Sequence, residues 1–383
     1  MEGDSMKKNT TKMIAIAAVG VLLVAGIGAA YLVIRGSGDK ADITIAVGTK
    51  NYYEPFWIAD HYGFFKDEGI NVDLMLVSGG GAACTALLSG QVDTCLVGAS
   101  DPTVRLMEES EDGKIISGIT TPTSVSGIEF AVRDDAIAAG LNLSQPNTFF
   151  VNGANGGTEV KYHVGLDTTT GYRSNVITYF YRAWQNGTLT DEQYAVASTV
   201  RGTTDGVLVH MEFDNQVIGI VNGEVDAIIG GNTNVLAASH GGISLHVAPS
   251  EYTVGIACVI LASGQAVEEK RDALVKMLRA LDKACAMIEN PETVDEVADY
   301  CVEFYGAATW DKTSQMKFFD LINWDVNRIV GIEDTVEFNA YLLGYDDRDY
   351  SGRFDWSFVA EAHDEGELYI YDPETKQLMA SMP

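Results

Sequence analysis

The chain has 383 residues, of which 46% are hydrophobic and 9% aromatic, so it is a folded globular protein that is too long for one small core. Its formal net charge of -29 argues against nucleic acid or an anionic membrane surface as a partner of the folded part. The acidity leaves the charge of a ligand open, because a cleft can differ in sign from the surface around it.

The N-terminal region contains one long apolar stretch. Residues 13–34 carry no charge, and three lysines lie within residues 7–12. About 20 apolar residues cross a bilayer, and the positive flank stays in the cytoplasm. We therefore predict a transmembrane anchor with the rest of the chain outside the cell. The alternative is a cleavable signal peptide with its cleavage site near the small residues 28–30, which would release the protein.

The first half of the chain alternates strands with helices. An aromatic loop over residues 49–57 leads into a helix, and Ser78, Gly79, Gly80 and Gly81 form a glycine turn before another. Asp101 is expected to cap a helix that begins at Pro102, or to pair with an amino group of a ligand. The predicted strands cover residues 42–47, 72–77, 92–97, 115–119 and 127–132, and the predicted helices end near residues 62, 88 and 109.

The second half repeats this pattern. The string G-x-V-D-x4-G occurs at residues 90–98 and again at residues 223–231. A second glycine turn at residues 152–157 is expected to begin a helix over residues 158–170. Other predicted strands cover residues 148–151, 195–200, 225–229, 243–247 and 252–261, and other predicted helices cover residues 174–186, 211–222, 267–288 and 291–305, followed by a possible hairpin at residues 367–382.

Alternating strands and helices predict an α/β fold with mixed, mostly parallel sheets, in which ligands lie outside the carboxyl ends of the strands. The glycine-rich and aromatic loops fall at those ends in both halves. If both glycine turns direct helix N-termini at one ligand, they favour an anionic or strongly accepting group. The candidate ligand-binding residues are Thr49, Lys50, Tyr52, Tyr53, Trp57, Ser78, Gly79, Gly80, Gly81, Ser100, Asp101, Asn155, Gly156, Gly157, Thr158, Asn232 and Thr233.

Several of these candidates have an ordinary structural alternative. Tyr52, Tyr53 and Trp57 can enclose a ligand, but core packing of the first helix is expected for Trp57 or Phe56. Lys50 can meet an anion or stay exposed. A glycine turn can also be a plain connection between a strand and a helix. The five cysteines, at 84, 95, 258, 285 and 301, show no disulfide or metal spacing and are expected to be core thiols.

The segment I-A-D-H-Y-G-F-F-K-D-E-G-I-N-V at residues 58–72 resembles a motif of the solute-binding proteins of ABC importers, in the nitrate, sulfonate, taurine and thiamine-precursor group. The G-G-G-A-A helix start at residues 79–83, G-Q-V-D at residues 90–93 and A-L-D-K-A-C-A-M-I-E-N-P-E-T at residues 280–293 are similar to that family too. The resemblance covers residues 43–306. A longer C-terminus and the absence of a D-L-K-G-K motif near residues 143–148 are departures from it.

The resemblance implies a two-lobed clamp, of the type II-like fold of periplasmic binding proteins, that closes on a small ligand and presents it to a permease with its ATPase. We expect a monomer with no cofactor. The ligand would be a sulfonate, a nitrate-like oxyanion or a pyrimidine-type heteroaromatic. The predicted division is a stub, anchor and tether at 1–40, a first lobe at 41–132 and 243–306, a second lobe at 133–242, and an extension at 307–383.

Catalysis has little support in the sequence. The six histidines form no metal-ligand spacing, and neither a G-x-S-x-G elbow nor a P-loop lysine is present. We therefore expect a binding protein rather than an enzyme. One alternative is an enzyme resembling thiamine-pyrimidine synthases of the same fold, although that class carries clustered cysteines and works inside the cell. The other is an extracellular sensor, which would need a cytoplasmic signalling module.

Overall fold

The computed structural model describes most of the chain between residues 32 and 380. The described ranges are 32–35, 40–48, 52–110, 112–122, 129–167, 171–201, 206–249, 258–305, 311–329, 332–345, 348–363, 369–372 and 377–380. Residues 33–383 form one compact unit. Its described helices are α1 (Glu54–Tyr62), α2 (Phe64–Asp67), α3 (Gly80–Leu88), α4 (Asp101–Glu109), α5 (Asp134–Ala138), α6 (Tyr172–Gln185), α7 (Asp191–Ala197), α8 (Phe213–Val221), α9 (Asn232–Ala238), α10 (Gly264–Glu269), α11 (Arg271–Glu289), α12 (Val294–Tyr305), α13 (Lys312–Asp320), α14 (Ile332–Leu342) and α15 (Ser357–Ala362).

The first sheet has nine strands in the order β1-β3-β2-β4-β12-β5-β13-β14-β15. Strands β3, β2 and β4 are parallel, and β12 runs antiparallel between β4 and β5. Val, Ile and Leu fill β2 and β12, whose buried faces hold the core. The strands are β1 (Leu32–Arg35), β2 (Ile43–Val47), β3 (Val72–Leu76), β4 (Thr94–Gly98), β5 (Lys114–Pro122), β12 (Cys258–Ala262), β13 (Ile322–Ile329), β14 (Tyr369–Asp372) and β15 (Gln377–Ala380).

The second sheet has six strands in the order β11-β6-β10-β7-β9-β8. Strands β10, β7, β9 and β8 are parallel, whereas β6 is antiparallel to both of its neighbours. Its core is rich in aromatic rings, among them the fully buried Phe149, Tyr179 and Phe180. The strands are β6 (Glu129–Arg133), β7 (Val164–Leu166), β8 (Val200–Arg201), β9 (Leu208–His210), β10 (Ala227–Ile228) and β11 (Ile243–Val247).

The chain passes from one sheet to the other twice. Strand β5 ends at Pro122 in the first sheet and β6 begins at Glu129 in the second; β11 ends at Val247 and β12 begins at Cys258 back in the first sheet. Strands β6 and β11 thus belong to the second sheet. We accordingly propose lobe boundaries within these two connections instead of at residues 132 and 242.

The repeated string forms the same local structure in both sheets. Gly90 and Gly223 each follow a helix with positive φ, at 70° and 76°. The aspartate of each string accepts a hydrogen bond from the backbone at the start of the neighbouring parallel strand. Asp93 Oδ2 accepts from the Thr44 N–H, and Asp226 Oδ2 accepts from the His163 N–H, each at 2.8 Å. The two aspartates therefore connect equivalent βα units.

Three predicted elements of the second half are wrong. No helix covers the described part of residues 158–170; instead β7 lies there, preceded by an isolated bridge between Phe150 and Val160. Pro146–Phe149 is a 3-10 helix where a strand was expected at residues 148–151. A strand was expected at residues 195–200, but residues 195–197 are the last turn of helix α7. Thr190 and Gln193 form the capping box at the start of this helix.

The C-terminal region builds onto the first sheet and reaches the second. The predicted terminal hairpin is confirmed, because β14 and β15 pair in antiparallel register. Helix α13 packs against α9 of the second sheet, and α14 packs against α4 of the first. The ring of Phe338 on α14 also lies 5.3 Å from the ring of Tyr181 on α6. The C-terminal region thus contacts helices of both sheets.

The predicted anchor at residues 13–34 lies outside the described residues except for its last three, which belong to strand β1. Among the described helices, none combines the length and the apolar character needed to cross a bilayer. The expectation for the cysteines is confirmed, because all five are buried free thiols.

Candidate ligand-binding site

Side chains from both sheets meet at one polar cluster, which we call the junction cluster: Tyr52, Glu54, Glu129, Tyr172 and Cys258. Tyr52 follows β2 and has a positive φ of 68°, and Tyr172 begins α6. Their hydroxyl oxygens lie 3.4 Å apart. Tyr52 lies in the loop after a strand of the first sheet, and Tyr172 lies on a helix that packs on the second sheet. Their contact therefore connects the two halves of the fold.

The other members surround the two tyrosines. Cys258 begins β12 of the first sheet and interacts electrostatically with Tyr52, Tyr172 and Glu54. Glu129 begins β6 of the second sheet and interacts with both tyrosines. The C-terminal helix α13 contributes Phe318, whose ring centroid lies 5.7 Å from that of Tyr52. The cluster and the ring of Phe318 beside it therefore combine five segments of the chain that are far apart in sequence.

Burial dominates the electrostatics of the cluster. Loss of hydration raises the pKa of Glu54 to about 7, although the Tyr305 and Gln315 side chains beside it act to lower it. Burial likewise raises the pKa of Glu129 to about 7, against the opposing effect of Lys317. Burial raises the pKa of the Cys258 thiol to about 12, so it stays neutral. The two carboxyl groups therefore titrate near neutral pH.

A second contact between the sheets joins the N-termini of α4 and α6. Asp101 Oδ2 accepts a hydrogen bond from Arg173 Nη1 at 3.1 Å, and Asp101 Oδ1 accepts one from the Ser174 hydroxyl. Burial raises the pKa of Asp101, and Arg173 opposes that shift. Gly171 lies so close to Ser100 that an added Cβ would be 2.1 Å from the serine oxygen. A larger residue than glycine would push the two helix ends apart.

This arrangement corrects the expectation for Asp101. Helix α4 begins at Asp101 itself, with Ser100 in the capping position and no side-chain cap. The Asp101 carboxylate instead lies in the first turn of α4 and faces the first turn of α6. Both helix dipoles favour a negative charge there. Asp101 thus connects the sheets and does not cap its own helix.

Two of the predicted aromatic residues lie in the core. Tyr53 is buried, and its hydroxyl donates to the Leu96 carbonyl at 3.1 Å. Trp57 is buried, donates from Nε1 to the Gly48 carbonyl at 2.9 Å and packs against Phe304. Tyr53 interacts electrostatically with Cys258, but Tyr52 is the aromatic candidate whose hydroxyl contacts Tyr172. Thr49 and Lys50 lie outside the described residues.

The two predicted glycine turns have different settings. Ser78 and Gly81 are exposed at the N-terminus of α3, where no side chain of the described residues caps the helix. Asn155, Gly156 and Thr158 are exposed as well, but no helix begins there, so the expected pair of opposed helix N-termini is wrong. Instead Gln193 Nε2 donates to the carbonyls of Gly153 and Gly157, each at 2.9 Å.

The remaining candidates lie at the start of α9. The Thr233 hydroxyl is buried and contacts the Gly230 carbonyl at 2.6 Å and Gln216 Oε1 at 2.9 Å. Asn232 is the first residue of the helix. Its neighbour Asn234, which was not predicted, donates from Nδ2 to the Glu129 carbonyl at 2.7 Å. The start of α9 therefore adjoins the junction cluster through Asn234.

Two segments of the chain match a known protein family. The family model described as NMT1/THI5 like matches residues 50–136 and 199–294, which include the loop of Tyr52, both repeated strings and the start of α9. A curated relative, "Putative binding protein YtlA" of Bacillus subtilis (strain 168), is 32% identical over 84 residues. That match spans 22% of this chain and 25% of the relative, so the chain matches only a quarter of the relative's length.

Solved structures share the fold. A protein from Bordetella bronchiseptica RB50 superposes with a TM-score of 0.61 at 18% identity, covering 86% of this chain and 99% of that one. The alkanesulfonate-binding protein SsuA from Xanthomonas axonopodis pv. citri gives 0.57 at 11% identity, covering 88% and 100%. The periplasmic nitrate-binding protein NrtA from Synechocystis PCC 6803 gives 0.56 at 10% identity, covering 84% and 88%. The α/β two-sheet fold of periplasmic binding proteins is therefore shown.

Four members of the junction cluster were not predicted from the sequence. Glu54 precedes Pro55 at the start of α1, which is the pattern of an acidic first helical turn and not of a ligand site. Glu129 and Cys258 begin strands, and Tyr172 begins a helix after Gly171. Only the folded chain brings them together, because the two sheets that supply them are joined by the crossings at residues 122–129 and 247–258.

Proposed function

We propose that this protein captures a small molecule between its two sheets and delivers it to the permease of an ABC importer on the extracytoplasmic side of a membrane. The observation that carries the proposal is the junction cluster, to which both lobes contribute and against which Phe318 of the C-terminal helix α13 packs. A ligand that contacts both sheets stabilises their closed arrangement, which is how a binding protein signals occupancy. The proposed binding role does not depend on an N-terminal anchor.

The candidate ligands are sulfonates, nitrate-like oxyanions and pyrimidine-type heteroaromatics. The names of SsuA and NrtA support the first two classes. The aromatic rings of Tyr52, Tyr172 and Phe318 favour an organic ligand with a flat or apolar part. Ser78, Gly79, Gly80 and Gly81 at the start of α3 remain predicted contacts, together with Thr49, Lys50, Ser100, Asn232 and Thr233.

We further propose that the chain binds without chemistry. The NMT1/THI5-like segments and the sulfonate- and nitrate-binding neighbours agree with a binding role. The five thiols are buried. A hydrogen bond with Cys84, together with burial, raises the pKa of Cys95, and burial raises the pKa of Cys258, Cys285 and Cys301, which disfavours the reactive thiolate. Turnover of any bound compound by the purified protein would contradict this part of the proposal.

A thermal-shift screen of the full chain tests capture. A true ligand stabilises the folded state by RT ln(1 + [L]/Kd), about 2.7 kcal/mol at a hundredfold excess over Kd. The variant Tyr172→Ala should lose this shift, because it removes the contribution of α6 to the junction cluster. The control Tyr62→Ala removes a tyrosine that contacts Glu296 on the outer face, and should keep the shift. An equal shift in both variants would place the ligand elsewhere.

Delivery is tested separately with a reconstituted importer. Adding the ligand-loaded protein to membranes that contain the cognate permease and ATPase should stimulate ATP hydrolysis. The ligand-free protein and the Tyr172→Ala variant provide the baseline. Binding without stimulation would keep the capture function and remove the transport partner.

A further inference from the structure

We infer that the ligand held at the junction cluster is a small organic cation, such as a protonated amine, guanidine or amidine, and not an oxyanion. This inference rests on the proposed function, because it assumes that a ligand enters between the sheets.

The first observation is a buried carboxyl oxygen without a partner. Glu54 is 1% exposed, and its Oε2 atom makes no hydrogen bond among the described residues. The side chains of Tyr305 and Gln315 act as hydrogen-bond donors to the carboxyl group and lower its pKa, while its Oε2 atom has no hydrogen bond of ordinary geometry. A buried acceptor left unsatisfied costs about 1–3 kcal/mol, more when charged. A ligand that donates a hydrogen bond would remove that cost.

A second buried acceptor lies at the start of α9. Asn234 is 2% exposed, and its Nδ2 donates to the Glu129 carbonyl at 2.7 Å, which fixes the orientation of its amide. Its Oδ1 has no partner among the described residues. Glu54 in the first sheet and Asn234 in the second thus both offer oxygen acceptors. A ligand with N–H groups satisfies them, whereas an oxyanion brings further acceptors.

The charged groups around the cluster also favour a cation over an anion. Glu129 meets one described cation that affects its pKa, Lys317, whose side chain is exposed. The nearby Arg173 is already bound to Asp101. Asp101 also occupies the place in front of the α6 N-terminus that an anionic ligand would need. The described residues therefore leave carboxyl groups for a cation and no buried cation for an oxyanion.

The aromatic rings complete the site. Tyr52 and Tyr172 both interact electrostatically with Glu129, and the ring of Phe318 packs against that of Tyr52, with the centroids 5.7 Å apart. The face of an aromatic ring attracts a cation, and the attraction increases as water is excluded. Aromatic rings beside two carboxyl groups form an environment suited to an organic ammonium or amidinium group.

The cation would couple binding to pH. Glu54 and Glu129, each with a pKa of about 7, are largely protonated at pH 6 and largely ionised at pH 8. The groups around Glu54 are Tyr52, Cys258, Cys301, Tyr305 and Gln315, and those around Glu129 are Lys317 and the two cluster tyrosines. A cation favours the ionised carboxylates, so its affinity should rise with pH. The affinity of an anion should fall.

The test uses three probes with the same ring: benzamidine as the cation, benzamide as the neutral molecule and benzenesulfonate as the anion. Each is titrated into the full chain by calorimetry at pH 6 and pH 8, with thermal shift in parallel. We expect benzamidine to bind, about tenfold more tightly at pH 8 for each carboxyl group that must ionise. Benzenesulfonate should not bind.

Two variants and one control assign the effect to the cluster. Glu129→Gln and Glu54→Gln should each weaken benzamidine binding at pH 8 at least about tenfold and flatten its pH dependence. Glu109→Gln, which changes an exposed carboxyl group on α4, should leave both unchanged. Using two cluster variants keeps the test valid if Glu54→Gln fails to fold.

The outcomes separate this inference from the proposed function. Binding of benzenesulfonate without benzamidine, or benzamidine binding that weakens as pH rises, would overturn the cation while leaving capture intact. Equal benzamidine affinity in the wild type and both glutamine variants would also overturn it. If no probe binds, and a wider screen of amines, sulfonates, nitrate and pyrimidines gives no thermal shift, the inference and the capture function both fail.

Discussion

Two glycine turns, at residues 79–81 and 153–157, differ in how closely the surrounding chain packs against them. At residues 79–81 the glycines begin α3 and stay open, because a Cβ added at Gly80 would meet only Val97 at 3.6 Å. At residues 153–157 they lie against their own backbone: a Cβ at Gly153 would be 1.8 Å from the Asn147 carbonyl oxygen. The first turn exposes backbone N–H groups, and the second buries carbonyl groups under Gln193.

The difference shows that glycine has two separate uses. In the first turn it leaves space above a helix N-terminus. In the second it permits a close approach of two chain segments that any side chain would prevent. The first turn therefore remains a candidate for ligand contact, whereas the second stabilises the lobe that carries Tyr172.

Alanine substitution separates these uses most strongly. Gly153→Ala should lower the free energy of unfolding by at least about 3 kcal/mol, because the new methyl group overlaps a backbone oxygen that cannot rotate away. Gly80→Ala should be neutral or stabilise by about 0.4–1 kcal/mol, since it restricts the unfolded chain at a position with room for a methyl group. Urea unfolding of both variants measures the difference.

Gly157→Ala provides a second variant of the packed turn, because its Cβ would lie 2.0 Å from the Val151 carbonyl oxygen. Equal stabilities of the Gly80 and Gly153 variants would show that the close approach at Asn147 is relieved by a small backbone shift.

The side chain above the second turn should have the next largest effect. Gln193→Ala removes both 2.9 Å bonds to the turn and the side-chain half of the capping box with Thr190. The Gly153 carbonyl keeps the Gly156 N–H as a donor, whereas the Gly157 carbonyl loses the donor that Gln193 supplied. We expect a loss of about 2–4 kcal/mol. The control Gln145→Ala changes an exposed glutamine before a 3-10 helix and should stay within about 0.5 kcal/mol. Thermal and urea unfolding should agree for both variants.

The first half of the fold could be predicted closely from the sequence. Helix α4 was expected to extend from Pro102 to about residue 109, and β2, β3 and β4 lie within about two residues of their predicted positions. Local signals are strong there, because apolar alternation, a proline near the helix start and terminal glycines agree with one another.

The second half was predicted less well, for physical reasons that can be named. The glycines at residues 153–157 carry no mark of whether they open a helix or permit close packing. The capping box of Thr190 and Gln193 was the available signal for α7, yet the alternating apolar residues that follow it favoured a strand. Packing against the rest of the chain, and not the local sequence, determines the conformation of both the glycine turn and α7.

The candidate site could be predicted only in part from the sequence. Tyr52 was predicted from its aromatic loop, but its partners Tyr172 and Glu129 come from the second sheet. Their pairing depends on how the two sheets meet, and that contact also depends on helices α13 and α14 of the C-terminal region. No local pattern encodes a contact between residues so distant in sequence.

The repeated aspartates allow the finest comparison of the two lobes. Asp93→Ala and Asp226→Ala each leave a strand N–H without its 2.8 Å acceptor, so each should cost about 1–3 kcal/mol. The loss should be larger at Asp93, because Lys270 Nζ also bonds to it at 2.8 Å, whereas His163 Nδ1 lies 3.7 Å from Asp226. The asparagine variants keep an acceptor oxygen and should cost less than the alanines.

Urea unfolding measures these losses, and Asp272→Ala is the control because its side chain is 82% exposed and pairs with Lys276 one turn along α11. A cost at Asp93 with none at Asp226 would mean that the two strings share a sequence but not a structural role. Similar costs, each reduced by asparagine, would mean that both lobes use the same aspartate to hold a parallel strand beside the loops that carry Tyr52 and Tyr172.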